Sequence, residues 1–560
     1  MSDLSHGNVG KHEQNFTALL PLRVNSYNPH DLLILSEQMK ADVDSVKDGP
    51  DPEENILVPA GYTYFGQFID RDLTFDSTSS LDPTSGSLPS NLRTPRFDLD
   101  CLYGDGPDAQ PYMFDGAKLL FKDKLESGEP QGLANVDLMR NSLGRAIIGD
   151  KRNDENSIVS QIQWSFVKYH NKVVDALLLL NEESWNTPHK LFESARNEVR
   201  WTYQNLVIKD FLKRIVKAEV FANLKDRHPN QRMHHYAFYT EDKRGNLPRE
   251  FVAAVYRFGH SGVRTGYRMN DGMGNRFNIF PASDDVTKLA GAMSLLGFDP
   301  ITNNQVIDNW ERFFPESLPL ELNHEDRSKA ADEVERTFVR LQFAYKIDPT
   351  LVDPLGALPV KQIAGEDTTA QAGVKIAPEH LPYTPNSSPE AIPTRPSLAL
   401  LNLLRGDSYG IQGGQAFAKT LKEKGFPCET LRAHELVTRE AFKKEDETFF
   451  RFKEIPKDLQ HDTPLWFYIL AEAQAPLVHV LGGNDGKSEF AETRLLTGNG
   501  AKTQLGWVGG RIVAEVFYGL LDSDVESYVN AAPRGWKPML GGNQDIIFRN
   551  LLKFADPSNS

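Results

Sequence analysis

Three groups of residues in this chain have the types and spacing to do chemistry. Gln67, Asp70 and Arg71 stand at i, i+3 and i+4 within Gly61 to Asp72 (GYTYFGQFIDRD), and at helical pitch they share one face. A guanidinium fixed on that face can stabilise developing negative charge or bind an anionic ligand. A charged turn, Gly149 to Asn156 (GDKRNDEN), brings Arg152 and Glu155 close together in sequence, and a solitary histidine, His260, lies in Val255 to Gly262 (VYRFGHSG). A neutral imidazole can offer a lone pair to a metal. A lone histidine is more often a satisfied structural residue, and at this level both readings stand. His234 and His235 are adjacent in a basic-flanked stretch and read as surface residues. No His-Glu-x-x-His, Cys-x-x-Cys or Gly-x-x-x-x-Gly-Lys-Ser pattern occurs, so zinc-protease, zinc-finger and P-loop chemistry lack support.

The elements that must position these groups are mostly helical. Tyr62, Phe65, Phe68 and Ile69 recur at three- and four-residue steps and predict a helix from Gly61. Ser157 to Leu180 carries the strongest helical stripe, with Ile158, Ile162, Phe166, Val173 and Leu177 on one side. Helices are also predicted over Glu193 to Val216, Lys329 to Tyr345, Pro464 to Ala473 and Gly509 to Leu521. The Ser-, Pro- and Asp-rich stretch 73–115 and the Pro- and Gly-rich stretch Asp353 to Arg395 read as irregular. No fixed-period repeat is visible, which disfavours solenoids and propellers.

Composition narrows the function classes. With 40% hydrophobic and 25% charged residues the chain has ordinary globular proportions. A net charge of −15 with no Lys/Arg stripe excludes a broad nucleic-acid surface. Two cysteines, Cys101 and Cys428, make no disulfide framework, and Met1 to Phe16 has no apolar leader core, so a cytoplasmic location is expected. The apolar runs are far shorter than the roughly 20 residues that span a bilayer.

In chain order these segments resemble the animal-type haem peroxidase (peroxidase-cyclooxygenase) superfamily. Phe65 to Phe75 (FGQFIDRDLTF) is similar to its distal-helix motif Gly-Gln-hydrophobic-hydrophobic-Asp-His-Asp, and Gly149 to Asn156 resembles its Gly-Asp-x-Arg-x-x-Glu segment. Tyr169 to Asn171 (YHN) is similar to its Glu-His-Asn helix, and Tyr256 to Ser261 (YRFGHS) to its proximal Arg-hydrophobic-Gly-His motif. Arg405 to Gln415 (RGDSYGIQGGQ) resembles the later Arg-Gly segment with its proximal Asn. Arg93 to Gly104 (RTPRFDLDCLYG) and Gly509 to Phe517 (GGRIVAEVF) resemble the bacterial branch. The match runs from near Pro59 to near Leu521.

The resemblance implies a mainly α fold, with an N-terminal arm over 1–50 and a single large helical domain over 51–555, long irregular loops and little β structure. It implies haem b as cofactor, held by His260 as the axial iron ligand, with Gln415 as acceptor for the other ring nitrogen and Arg257 facing a propionate. On the distal side it places Gln67 and Arg152 over the iron. Asp70 and Glu155 match the carboxylates that form ester links to the haem in this family. The implied activity is a peroxidase-like oxidoreductase using hydrogen peroxide or an organic hydroperoxide to oxidise a small organic substrate.

Three departures qualify this. The family's distal histidine is replaced by Arg71, whose guanidinium stays protonated and cannot take a proton as neutral imidazole does. General acid-base help is worth about 10²- to 10⁴-fold in rate, so peroxide activation is expected to suffer by that order, and ester formation with it. Arg71 and Asp70 also have plain readings, as residues paired with Asp72 or Asp76 and with Arg71 or Arg152 respectively. Asp72 matches a calcium-binding Asp, but Leu119 to Arg140 shows no partner loop, so no calcium is expected. Arg257 stands where the fatty-acid oxygenases carry a radical-forming Tyr, which disfavours cyclooxygenase-like chemistry. Besides the oxidoreductase, two alternatives remain at this level: a catalytically degenerate haem-binding or sensing protein, and a cofactor-free helical scaffold.

Overall fold

The structure is a computed structural model. It describes residues 14–41, 51–75, 90–91, 93–122, 137–180, 187–224, 236–270, 277–280, 294–316, 341–356, 361–363, 366–368, 397–445, 447–483, 487–496, 498–539 and 547–556.

The fold of the described residues is mainly helical, with small two- and three-stranded antiparallel sheets. At its centre lies the helix Gly61–Leu73, whose Tyr62, Tyr64, Phe65, Phe68 and Ile69 are buried. Phe68 stacks flat on Phe166 of the helix Ser157–Leu180 at 4.8 Å between ring centroids, and Phe65 meets Phe548 of the last helix, Phe548–Ala555, at 4.6 Å. Tyr203 closes the cluster edge-on against Phe65, Phe68 and Phe166. Large rings in edge-to-face and offset contact add packing energy beyond their buried area. This aromatic cluster fixes which face of the Gly61–Leu73 helix turns away from the core.

The predicted helices at Gly61, Ser157, Pro464 and Gly509 correspond to Gly61–Leu73, Ser157–Leu180, Leu465–Leu481 and Gly509–Ser523. The one expected over Glu193 to Val216 begins earlier and is broken. Thr187 caps it by accepting from Lys190 N–H, with Pro188 at the first position. It runs Pro188–Leu206, passes through a π-type turn at Val207–Phe211 and ends as Leu212–Ile215. A helix to Tyr345 is corrected by the structure: Phe343–Tyr345 is a strand paired antiparallel with Glu54–Pro59. Residues 329–340 of that prediction lie outside the described residues, as do 76–89 of the Ser-rich stretch and His234 and His235. The stretch read as irregular from Asp353 contains a short helix, Asp353–Gly356, and a hairpin of Lys361–Ile363 with Glu366–Thr368; 369–396 lie outside the described residues.

The N-terminal residues are tied to the segment that carries His260. Glu250 accepts from the amides of Leu19 and Leu20, and Thr17 bridges to Pro248. The helix Pro29–Gln38, which the sequence reading does not anticipate, buries Leu32 and Leu35 and packs against the helix Leu398–Ser408. His170, in the YHN segment, is structural: its ring nitrogens meet Tyr103 Oη at 3.0 Å and the Ala117 carbonyl at 2.8 Å. No helix among the described residues is long and apolar enough to cross a membrane.

Candidate functional site

The short helical turn Val255–His260 carries the solitary histidine. Trp466 Nε1 donates to the Arg257 carbonyl from the buried helix Leu465–Leu481, and Tyr256 Oη donates to the Gly66 carbonyl across from it. These bonds fasten the turn between that helix and Gly61–Leu73. His260 and Gly259 remain partly accessible, although burial dominates the imidazole's titration. Burial, and then the positive charges of Arg257, Arg71 and Arg405, push the His260 imidazole down to about 3. The ring is therefore neutral across physiological pH, the form that can ligate a metal.

His260 Nδ1 lies 2.8 Å from the side-chain amide of Asn402, on the helix Leu398–Ser408. A half-turn of that amide exchanges its oxygen and nitrogen. The Nδ1 proton then has an acceptor, and the Nε2 lone pair is left for a metal. Gln415 does not fill this role, which corrects the sequence expectation. Its Nε2 donates to the Gln460 carbonyl and to Thr463 Oγ1, and its Oε1 accepts from Thr463 N–H. The amide that reaches the ring comes from one turn before Arg405, not ten residues after it. A legible signal existed, since Asn402 is the one polar residue in Leu398 to Leu404 (LALLNLL).

The accessible face of Gly61–Leu73 lies near enough for the charges of Asp70 and Arg71 to reach Arg257, and that of Arg71 to reach His260. Thr63, Gly66, Gln67, Asp70 and Arg71 are part-exposed there, while the residues between them are buried. Gln67 Oε1 accepts from Asn156 Nδ2 at 3.0 Å, and Asn156 Oδ1 in turn caps the amides of Ile158 and Val159. Arg71 lies 2.5 Å from Glu155 and 3.6 Å from Asp70. Burial works against its charge, but Glu155, Asp70 and Asp150 outweigh it and raise its affinity for the proton. The plain pairing of Arg71 is thus with Glu155 and Asp70 rather than with Asp72.

Arg152 has a different setting from the one the resemblance implies. Its Nε and Nη2 bind Asp150, Nη2 also donates to the carbonyls of Arg71 and Thr74, and the guanidinium lies over the Phe75 ring at 4.5 Å. It clamps the C-terminal end of Gly61–Leu73 and so fixes where Arg71 points. Arg257 donates to the Val252 carbonyl, and its Nη1 lies 3.5 Å from Asn402 Oδ1, a long contact that the half-turn of the amide gives up for the bond to the ring proton. Burial and the neighbouring Arg405 charge lower its pKa to about 10.

A family model for animal haem peroxidases matches residues 30–332, just over half of the chain. The chain belongs to the animal haem peroxidase family. Among solved structures, peroxidase A from Dictyostelium discoideum is similar with a TM-score of 0.53 at 12% identity, over 98% of this chain and 94% of that one. Fatty acid alpha-dioxygenase from Oryza sativa is similar with a TM-score of 0.51 at 14% identity, over 98% and 82%. At such identities the likeness is one of fold. No curated protein sequence matches the chain.

Members of the family bind haem, and the residues present here suit that group. A side chain added at Gly259, next to His260, would meet nothing within 4 Å, and the same holds at Gly406, next to Arg405. Open space therefore borders the backbone on the His260 side. The charge of Arg71 reaches His260 from Gly61–Leu73.

A second cluster corrects the view of Asp72 as a carboxylate without partner oxygens. Asp72, Asp98 and Asp100 each bring one carboxylate oxygen within 4.8 Å of the others. Leu99, between the latter two, has φ of 60°, a left-handed conformation that costs a non-glycine residue about 1–3 kcal/mol. Asp72 is fully buried; the Leu99 amide and Tyr203 hydroxyl lie near it, yet neither makes a well-formed hydrogen bond to it. Burial and the charges of Asp98 and Asp100 raise its pKa well above the usual carboxylate range. Such a set of oxygens suits a hard cation. The partners were present in the Arg93 to Gly104 segment, as Asp-Leu-Asp, and not in Leu119 to Arg140.

Proposed function

We propose that this chain is a haem-dependent oxidoreductase that uses hydrogen peroxide or an organic hydroperoxide to oxidise a small organic substrate. The observation that carries the reading is the neutral His260 imidazole, braced at Nδ1 by Asn402 and bordered by open space at Gly259. Haem b would supply the redox chemistry of peroxide at its iron. His260 would hold its iron, and Arg257 would neutralise a carboxylate of the group.

On the distal side Arg71 supplies fixed positive charge, oriented by Glu155 and Asp70 and by the Arg152 clamp behind it. That charge stabilises negative charge on an oxygen that departs beside it and attracts an anionic peroxide or a carboxylate-bearing substrate. Proton acceptance falls to carboxylate oxygens of Asp70 and Glu155, and Gln67 donates or accepts without ionising. Since Glu155 is engaged by Arg71, Asp70 is the freer of the two for an ester link to haem.

The test is the absorption spectrum of the haem-loaded protein, before and after mixing with hydrogen peroxide. A Soret band that His260→Ala removes, and that responds to peroxide in the wild type, is the expected result. A band untouched by His260→Ala refutes the ligand assignment. The Arg71–Glu155 pair also favours a second reading, a haem-binding or sensing protein without turnover. A Soret band that depends on His260 and is inert to peroxide selects it.

We further propose that Asp72, Asp98 and Asp100 hold a hard divalent cation such as calcium. Calcium added to the chelated protein should raise the Tm of the wild type and leave Asp72→Asn unmoved; equal shifts in both would remove the cation from this cluster.

A further inference from the structure

Far along the chain, a different set of ligand types converges. His434 and Glu435 lie on the one-turn helix Ala433–Glu435, and His479 lies near the C-terminal end of Leu465–Leu481. One ligand atom from each of the three side chains lies within 4.8 Å of the others, and His479 Nε2 is 2.7 Å from Glu435 Oε1. These limits bracket the ~3.4 Å that separates donors around a tetrahedral ion with bonds of about 2.1 Å.

The carboxylate is already oriented. Glu435 is buried, and its Oε2 accepts the Arg432 backbone N–H at 2.7 Å and lies 3.3 Å from Arg432 Nε. Oε1 is thereby turned toward His479, an outer-shell arrangement of the kind that presets a metal ligand. The His434 and His479 rings stand at 79° with centroids 6.4 Å apart, so they do not stack face to face. The His479 side chain is 48% exposed, which gives an ion a way in and leaves room for water as a further ligand.

A simple ion pair between His479 and Glu435 would account for two of these residues. It leaves the approach of His434 unexplained. Two imidazole nitrogens with one carboxylate oxygen suit a borderline divalent ion such as zinc, whereas calcium and magnesium prefer all-oxygen sites.

We propose that His434, Glu435 and His479 form a site for a zinc-like divalent transition-metal ion, with three protein ligands and one position open to water. Such an ion would tie the Ala433–Glu435 turn to the end of the helix whose Trp466 supports the His260 turn.

Calorimetric titration of the full-length, haem-loaded protein with zinc chloride tests this, with calcium in excess to occupy the Asp72 cluster. One saturable zinc ion per chain is expected. Because His434 and His479 are not fully buried, alanine at either should leave the fold intact, as circular dichroism can verify. Each single variant should bind zinc at least about 10- to 100-fold more weakly, no less than the loss of an outer-shell partner typically costs. The double variant should lose the saturable phase. An isotherm unchanged in the double variant, or no saturable binding by the wild type, overturns the proposal.

Discussion

The His260 turn and the accessible face of Gly61–Leu73, close enough for the charge of Arg71 to reach the imidazole, solve opposite electrostatic problems. On the His260 side, like charges crowd together: the Arg405 charge depresses Arg257, the charges of both depress the imidazole, and the contact to the ring is a neutral amide, Asn402. On the Gly61–Leu73 face one guanidinium, Arg71, is compensated by Glu155, Asp70 and Asp150 and held firmly protonated. The first wall keeps an imidazole neutral and presents cations, which suits metal ligation and a dianionic cofactor. The second presents a guanidinium that does not titrate, which suits electrostatic stabilisation and leaves proton acceptance to the carboxylates beside it. The difference lies in what surrounds each arginine, not in how many there are.

The sharpest way to break that contrast is to replace the fixed charge with a neutral base. Arg71→His should raise the rate of reaction with hydrogen peroxide by about 10²- to 10⁴-fold, the usual worth of a positioned acid-base group. Stopped-flow mixing of the haem-loaded variant measures it. A rate equal to that of the wild type means this wall is built for something other than proton transfer to peroxide, and the sensing reading gains.

Much of this was legible in the residues themselves. The periodic aromatics of Gly61 to Asp72 and the stripe of Ser157 to Leu180 located both helices because each buries one face against a ring cluster, and burial leaves a period in the sequence. The polar face Gln67, Asp70 and Arg71 was visible for the same reason. Partners distant in sequence were not. Asn402 is separated from His260 by 142 positions, and only the packing of Leu398–Ser408 brings them together. The same holds for Asp98 and Asp100, which reach Asp72 through a left-handed turn at Leu99 that no periodicity announces. Arg152 could be placed near Arg71 from motif order, yet its bonds to two helix-end carbonyls depend on where that helix stops.

That clamp gives the next prediction. Asp150 has no exposed side-chain surface and binds both Arg152 and Arg93. Burial pushes its carboxyl up, but the hydrogen bonds and charge of Arg152, with the charge of Arg93, hold it far below the usual range. A depressed carboxylate stabilises the fold fully above its unfolded pKa of about 3.9 and loses that contribution as pH falls below it. Asp150→Asn should therefore cost about 3–5 kcal/mol at pH 7, as breaking a buried pair does. The gap to the wild type should narrow as pH drops below about 4. Urea unfolding from pH 7 down to pH 3 measures both. A gap independent of pH would mean that the clamp is steric and the contrast between the walls is not electrostatic at this end.

The smallest effect separates the two candidate partners of His260. Removing an outer-shell acceptor typically weakens metal binding by about 10- to 100-fold. Asn402→Ala should do so for haem and should shift the reduction potential, because ligand basicity follows the bond at the other ring nitrogen. Asn402→Asp should restore binding and lower the potential, since an ionised acceptor makes the imidazole a stronger donor to iron. Gln415→Ala should leave spectrum and potential unchanged, because its amide is spent on Thr463 and Gln460. The reverse pattern would require the Leu398–Ser408 helix to turn Asn402 away from the ring when haem binds, and the neutral brace would then have to come from elsewhere on that wall.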